Sequence, residues 1–379
     1  MIKIAFVSQT LAPMGGGAKD IAITFLNLDR RIFDPYVFSL SDPAAWRDEY
    51  GIPKDRCRGV DIWNVEAITG ALQGFDVVYL MVGTTKEPVE YETIWRACAK
   101  NKVKVRVMRI VFGLGKPKPE MADLFLASSM DSYLTGVPCR GCHVIYPPLP
   151  IHKPLEDRTT FRRRYGISQD DRVIGYACSD HTSGFFEVAR IFRETGNPSI
   201  FLSALARPDH QRVDVPPNIR FCGVLRQQEM PSLYDASDIV LHTRTESFGY
   251  SPHQAMAASK PMVALWTSSR NAFAETMYPG GGWLSRTSVG LAAALNHADA
   301  FRSAELSRAN VAYQRTYRMA PENSVRRFET LVLEALHEKG HFLDVQAGIP
   351  NYYVTDNNVE LWRAGKAEIE RRLATELYI

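Results

Sequence analysis

The sequence lacks the long hydrophobic runs that a membrane-spanning chain needs. No apolar run approaches the roughly 18–20 residues of a spanning helix. The opening residues, Met1–Val7, have neither the apolar core nor the small-residue cleavage site of a secretory signal. They predict a strand instead. We therefore expect a cytoplasmic protein, with peripheral association at a membrane as the remaining alternative.

The sequence also has little excess charge of either sign. Its 45 Lys and Arg are nearly balanced by 42 Asp and Glu, which leaves a net charge of +3. So small an excess requires neither a nucleic acid nor an anionic membrane as partner. The six cysteines are too few and too scattered for a disulfide scaffold in a chain of 379 residues. Internal repeats and low-complexity segments are absent. These absences exclude fibrous, disordered and disulfide-stabilised classes.

The spacing of one cysteine pair matches a motif that has a chemical role in other proteins. Cys139-Arg140-Gly141-Cys142-His143 matches the pattern that attaches c-type haem. Haem attachment needs an oxidising export compartment, and a structural zinc would need a second ligand pair nearby. We therefore interpret the pair as two thiols in a loop before a strand at His143–Tyr146. A metal, haem or redox role is the minor alternative.

The chain is long enough, and at 45% hydrophobic residues apolar enough, for two domains. Short apolar runs alternate with helical patterns on both sides of a proline-rich linker at Val144–Asp157. Such runs predict parallel strands that are buried on both faces, and therefore an α/β fold. We predict domains at 1–150 and 151–359, with a C-terminal helix at 360–379 packing back on the first domain.

A glycine-rich turn, Gly15-Gly16-Gly17, separates the first strand from a helix with apolar positions 18, 21, 22, 25 and 26 on one face. Two doubly wound domains are expected to form a cleft between the carboxyl ends of their sheets. Helix N-termini there favour anions. The sequence thus predicts an anion-binding cleft. Lys19, one turn into this helix, is expected either to reach the cleft or to lie on the surface.

The most informative segment is 218–275. A predicted strand ends at Gly223, a helix ends before Asp238, and a strand follows. The next stretch reads Glu246-Ser247-Phe248-Gly249-Tyr250-Ser251-Pro252-His253-Gln254-Ala255-Met256-Ala257, and then Lys260-Pro261-Met262-Val263. This segment resembles the donor domain of glycosyltransferase family four, whose members are retaining enzymes with the GT-B fold of two Rossmann-like domains facing a central cleft.

The resemblance implies transfer of a sugar from a nucleoside-diphosphate sugar to a hydroxyl acceptor. Residues 1–150 would then bind the acceptor and 151–359 the donor. Glu246 would be the catalytic residue that contacts the transferred sugar, and Gln254 would contact the nucleotide ribose. Phe248, Gly249 and Tyr250 would complete this part of the donor site.

The residue types agree with those roles. Carboxylate and amide oxygens accept hydrogen bonds from sugar hydroxyls, and a glycine lets the backbone approach a ligand closely. A helix that begins near Pro252 would direct its N-terminus at the diphosphate. The family has a second glutamate where this chain has Gln254, so the donor would be held differently or more weakly. His253 is interpreted as helix packing, with a donor contact as the alternative.

The phosphate-binding residues depart further from the family, which carries an Arg and a Lys before the first long helix of the donor domain. Here Ser179, His181 and Ser183 occupy that loop and offer hydrogen bonds but little fixed charge. Replacement cations are Arg207 and Arg270, with Arg244 also considered; each is alternatively a solvated surface residue. Gly16 and Gly17 are candidate contacts to the donor phosphates.

No Asp-x-Asp metal motif appears, and GT-B enzymes generally need no metal, so we expect no cofactor beyond a UDP- or GDP-sugar co-substrate. The departures leave two alternatives open: a binding or partner protein with a weakened donor site, and a sugar-nucleotide epimerase. The acceptor stays open among a glycan, a lipid-linked glycan, a small molecule and a modified nucleic acid. The basic strand at 102–109 and Arg162–Arg164 would suit an anionic acceptor or a solvated face.

Overall fold

The computed structural model describes residues 1–12, 15–82, 91–110, 119–129, 132, 142–150, 152–178, 183–208, 214–244, 246, 248–265, 282–297 and 319–339. These residues form two compact units. The first contains the described residues up to Pro150 together with 319–339, and the second contains those between 151 and 317. The predicted helix at 360–379 lies outside the described residues.

A seven-stranded, fully parallel sheet forms the centre of the first unit. Its order is β3-β2-β1-β4-β5-β6-β7. The strands are β1 (Ile2–Ser8), β2 (Phe33–Ser39), β3 (Cys57–Gly59), β4 (Val77–Val82), β5 (Val105–Ile110), β6 (Leu124–Ala127) and β7 (Cys142–Val144). Nearly every residue of the longer strands is buried, as expected for a parallel sheet covered on both faces.

Helices cover both faces of this sheet. They are α1 (Gly16–Asn27), α2 (Ala44–Tyr50), α3 (Val65–Ala71), α4 (Glu92–Lys100) and the later α10 (Pro321–Glu338), with short 3-10 turns at Lys54–Arg56 and Pro119–Met121. In α1 the predicted face is buried at Ala18, Ile21, Ala22 and Phe25. Leu26 is 46% exposed, because one residue further along a helix turns the side chain by about 100°.

Helix α10 packs in the core of the first unit, although the sequence analysis assigned residues up to 359 to the second domain. The ring of Phe328 lies 5.5 Å from that of Tyr79 and 6.5 Å from that of Phe6. The Ser324 hydroxyl donates a 2.6 Å hydrogen bond to the Tyr146 carbonyl. The helix thus contacts residues that lie 178 or more positions earlier in the chain, a pairing that local sequence does not reveal.

The second unit repeats the same architecture. Its six-stranded parallel sheet has the order β10-β9-β8-β11-β12-β13. The strands are β8 (Val173–Tyr176), β9 (Ile200–Ser203), β10 (Ile219–Phe221), β11 (Ile239–His242), β12 (Met262–Leu265) and β13 (Gly282–Ser285). The helices are α5 (Arg158–Arg164), α6 (Ser183–Glu194), α7 (Met230–Ala236), α8 (Tyr250–Ala257) and α9 (Ser288–His297). The predicted α/β class with two doubly wound units is confirmed.

The strand order of each sheet reverses at one point, between β1 and β4 in the first unit and between β8 and β11 in the second. Chain segments that leave neighbouring strands at such a point run in opposite directions and leave a crevice beside the carboxyl ends of the strands. In the second unit those segments begin at Ala177 and Thr243. The topology therefore predicts that a ligand of the second unit would bind beside the residues that follow β8 and β11.

Within the described ranges, no helix combines the length and the apolar composition needed to cross a membrane.

The packing of α10 predicts the effect of Phe328→Ala. Phe328 is 3% exposed and contacts two other aromatic rings, so its truncation is expected to lower the free energy of unfolding by about 3–5 kcal/mol. Urea denaturation monitored by circular dichroism measures this loss. Leu26→Ala, at an exposed site, serves as the control and is expected to cost less than about 1 kcal/mol. Equal losses in the two variants would contradict the packing of α10.

Candidate functional site

Glu246 lies in the segment that connects β11 to α8, beside the point where the strand order reverses. Its side chain is 27% exposed. The carboxylate is therefore held by the protein on one side and open on the other. This is the placement that a residue needs if it is to contact a bound molecule.

Gly249 shapes the turn between Glu246 and α8. Its φ of 78° lies in the left-handed region, which residues with a Cβ rarely adopt. A Cβ at this position would lie 2.7 Å from Cγ of Pro252 and 3.1 Å from Cβ of Glu246. Both the backbone conformation and the lack of space for a Cβ therefore require glycine at position 249. Because Gly249 caps the helix, α8 begins at Tyr250, two residues before the predicted start at Pro252.

His253 holds this turn from inside the protein. Its ring is fully buried and stacks on Phe248, with centroids 3.9 Å apart and planes 13° apart. Its Nδ1 lies 2.7 Å from the carbonyl oxygen of Gly249. Since a carbonyl only accepts, Nδ1 must carry a proton and donate. This contact supports the interpretation of His253 as a packing residue.

Phe248 and Tyr250 face the interior. They are 3% and 8% exposed, and their rings meet edge to face at 5.3 Å. Their predicted contact with a donor would therefore be made largely by backbone atoms. Gln254 lies on α8 with a partly exposed side chain. It offers an uncharged amide where the family has a carboxylate.

Two residues that the sequence analysis did not select lie behind Glu246. His242 ends β11, and its Nε2 is 3.9 Å from Oε1 of Glu246. Its Nδ1 is 3.2 Å from Sγ of Cys178, which follows β8. Both residues stand at the carboxyl ends of adjacent strands, and that shared position was the signal in the sequence that would have identified them.

Burial determines the protonation states of His242 and Cys178. Removal from water, together with the charge of Arg244 and the proximity of His253, lowers the pKa of His242 to about 3. Burial also raises the pKa of the Cys178 thiol to about 12. At neutral pH the imidazole and the thiol are therefore both uncharged.

The candidate phosphate-binding residues are only partly described. Ser183 begins α6, and its side chain lies outside the described residues, as do Ser179, His181 and Arg270. Arg207 is exposed, with its guanidinium carbon 6.0 Å from the centroid of the Phe221 ring at the end of β10. Arg207 is thus a cation near the carboxyl edge of this sheet.

In the first unit, Gly16 and Gly17 form the first turn of α1. A Cβ on Gly17 would lie 2.6 Å from Sδ of Met81, so the Met81 side chain on β4 would have to shift to make room for it. Lys19 is neither exposed nor open to a ligand, since it is only 5% exposed. Burial lowers its pKa to about 7, and the charge of Glu49 opposes that shift.

The Cys-x-x-Cys-His segment is described only at its end. Cys142 begins β7 and is paired in register with Phe125, so it lies in a strand rather than in the predicted loop; Cys139 is outside the described residues. Burial, helped by the charge of Arg327, lowers the pKa of His143 to about 4. In the part of the chain that the structure describes, no three His, Cys, Asp or Glu side chains are grouped to hold a metal ion.

Comparison with known proteins agrees with the site that the geometry indicates. The family model described as "Glycosyl transferases group 1" matches residues 196–302, which include β10, β11, Glu246 and α8. This match confirms the predicted resemblance of this segment to glycosyltransferases. No curated protein matches the sequence significantly.

Solved structures share the fold at low sequence identity. HepE of Anabaena, in complex with UDP and glucose, is 18% identical with a TM-score of 0.66, over 89% of this chain and 100% of HepE. Sucrose-phosphate synthase from Thermosynechococcus elongatus is 14% identical with a TM-score of 0.65, over 89% and 100%. UDP-GlcNAc 2-epimerase from Neisseria meningitidis, bound to UDP-GlcNAc, is 12% identical with a TM-score of 0.58, over 88% and 100%.

The buried imidazole of His253 predicts a loss of stability in acid. Burial lowers its pKa from 6.5 to about 4, so between these pH values the unfolded chain binds a proton that the folded chain does not. Stability from this group is complete above pH 6.5 and is lost as the pH falls, by about 1.4 kcal/mol per pH unit. His253→Asn keeps an N–H donor for Gly249 and does not titrate, so its acid slope is expected to be shallower by that amount.

Urea denaturation at several pH values between 7 and 4.5 measures this slope. His152→Asn removes an exposed histidine and is the matched control, with an expected slope like that of the wild type. If His253→Asn and His152→Asn lose stability in acid at the same rate as the wild type, the buried neutral imidazole is not the cause.

Proposed function

We propose that this protein is a retaining glycosyltransferase that moves a sugar from a UDP- or GDP-sugar to a hydroxyl acceptor. The observation that carries the proposal is the position of Glu246, a partly exposed carboxylate beside the β8–β11 reversal point and directly before the N-terminus of α8. The match to group 1 glycosyl transferases and the fold shared with a UDP-bound structure support it.

The turn before α8 suits a sugar diphosphate. The first backbone N–H groups of a helix have no partners within the helix, and the helix dipole adds partial positive charge there. Helix α8 begins directly after Gly249, and we propose that the partial positive charge at this N-terminus faces the diphosphate. Gly249 brings the backbone close, and Gln254 would contact the ribose.

The remaining donor contacts are proposed from residues that follow strands of the second unit in the sequence. Ser179, His181 and Ser183 would supply hydrogen bonds to the diphosphate, and Arg207 and Arg270 the positive charge. Gly16 and Gly17 remain candidate contacts in the first unit. Because Ser179, His181 and Ser183 offer neutral donors where the family has an Arg and a Lys, we expect this loop to contribute less to phosphate binding than that pair would.

The chemistry proposed for Glu246 is electrostatic. When the bond between the anomeric carbon and the diphosphate breaks, positive charge develops on the sugar ring and negative charge on the leaving group. A carboxylate beside the ring stabilises the first, and preorganised donors stabilise the second. Attack from the face of the departing phosphate, which would take the acceptor proton, retains the configuration. No metal ion and no other cofactor is required by this scheme, and we propose a cytoplasmic enzyme.

A second candidate function is epimerisation of a sugar nucleotide, which the shared fold with a UDP-GlcNAc 2-epimerase favours. The products separate the two functions. A transferase passes the sugar to an acceptor or to water and releases nucleoside diphosphate. An epimerase changes the configuration of the sugar at C2, which chromatography of the recovered nucleotide sugar detects.

The proposed role of Glu246 predicts a large loss of rate in Glu246→Gln. The amide keeps the size of the side chain but removes its negative charge, so kcat is expected to fall by about 10²–10³-fold. Nucleoside diphosphate release from a panel of UDP- and GDP-sugars measures the rate, and a shift in melting temperature with UDP measures binding.

Glu194→Gln, an exposed carboxylate on α6, is the matched control and should act as the wild type does. An unchanged rate in Glu246→Gln, or the lack of any nucleotide sugar that is turned over or raises the melting temperature, would overturn the proposed function.

The proposed ribose contact predicts that Gln254→Glu tightens nucleotide binding. A carboxylate accepts hydrogen bonds from the two ribose hydroxyls more strongly than a neutral amide does. We expect the Kd for UDP to fall by about 5–10-fold, which corresponds to about 1 kcal/mol. Isothermal titration calorimetry measures it, with Gln254→Ala as the opposite change. A weaker or unchanged affinity in Gln254→Glu would contradict the contact.

A further inference from the structure

Three side chains form a line at the carboxyl edge of the second sheet. Sγ of Cys178 lies 3.2 Å from Nδ1 of His242, and Nε2 of His242 lies 3.9 Å from Oε1 of Glu246. The line begins after β8, crosses the end of β11 and reaches the carboxylate beyond it. Only Glu246 is open to solvent, because Cys178 is 4% exposed and His242 is 2% exposed.

The tautomer of His242 follows from its two neighbours. The Tyr176 side chain and the Thr243 backbone lower the pKa of the Cys178 thiol, but burial outweighs them and raises it to about 12. Burial keeps the thiol protonated, so its proton is available to be donated to Nδ1 of the imidazole, 3.2 Å away.

The other side of the ring leads to the same result. Oε1 of Glu246 faces Nε2, and a carboxylate favours a proton on the nitrogen that faces it. Both contacts therefore place the single proton of the neutral ring of His242 on Nε2.

We propose that His242 is a positioning residue for Glu246, with Nε2–H directed at the carboxylate and the ring held in that tautomer by the thiol of Cys178. The inference rests on the proposed role of Glu246 in sugar transfer. The distance of 3.9 Å exceeds that of a hydrogen bond, and catalytic hydrogen bonds of this kind commonly shorten when substrate binds.

A neutral donor suits this role better than a cation. An arginine or lysine in the place of His242 would neutralise the carboxylate that has to meet positive charge on the sugar ring. A neutral N–H orients the carboxylate and leaves its charge intact. The buried site guarantees that neutrality, since an imidazolium there would lose its hydration and lie near the cation of Arg244.

The matched pair His242→Gln and His242→Asn tests the proposal. The amide nitrogen of glutamine occupies the position of Nε2 and still faces Glu246, whereas that of asparagine occupies the position of Nδ1 and faces Cys178. We expect kcat to stay within about threefold of the wild type in His242→Gln and to fall about 10–100-fold in His242→Asn. The donor KM is expected to change less than twofold in both, and melting temperatures of the two variants should be similar.

A second measurement does not depend on turnover. Long-range ¹H–¹⁵N correlation spectra of the histidine-labelled protein show which ring nitrogen carries the proton. Among the nine histidines, the signal of His242 is the one that disappears in His242→Gln. We expect the proton on Nε2 in the wild type and in Cys178→Ser, whose hydroxyl can still donate to Nδ1.

The outcomes separate this inference from the proposed function. If no nucleotide sugar is turned over while the His242 proton is on Nε2, sugar transfer is refuted, and the positioning role that rests on it is lost, but the line of contacts stands. If turnover is observed and the proton is on Nδ1, or if His242→Asn is as active as His242→Gln, the positioning role of His242 is overturned and the proposed function is not.

Discussion

The pairing of β8 with β11 is the interaction on which the candidate site depends. The two strands are hydrogen-bonded in parallel register, with Ile239 opposite Ile174 and Leu241 opposite Tyr176. Residues that follow them in the chain therefore emerge side by side. Cys178 and His242 are 64 residues apart in sequence but in direct contact, and the strand that brings them together also delivers Glu246 to the edge of the sheet.

The turn from β11 into α8 shares some features with the glycosyltransferase motif that it resembles and has others of its own. Gly249 matches that motif, and its positive φ and crowded surroundings explain why glycine is needed. His253 stands where the motif has an aliphatic residue, and it adds a stacked ring and a hydrogen bond to the Gly249 carbonyl. The chain thus supports the turn with buried neutral imidazoles at both 242 and 253, where charged side chains would be costly to bury.

Charge is arranged unusually around the proposed donor site. By the resemblance to glycosyltransferase family four, Ser179, His181 and Ser183 stand in the sequence where the family carries an Arg and a Lys that bind phosphate. Arg207 and Arg244 are two cations that follow strands of the second sheet, β9 and β11. Phosphate binding would then depend more on helix N-termini and on oriented hydrogen-bond donors than on fixed charges.

The sequence by itself determined the α/β class and the motif around Glu246 and Gly249, because hydrophobic periodicity and a contiguous motif are local signals. Only the tertiary structure decided that Leu26 is exposed, that α10 completes the first unit, and that Cys178 and His242 stand behind Glu246. Each of those outcomes depends on which distant segments pack together. Strand order and helix docking are set by the burial of whole faces, and a local pattern does not record the partner that buries them.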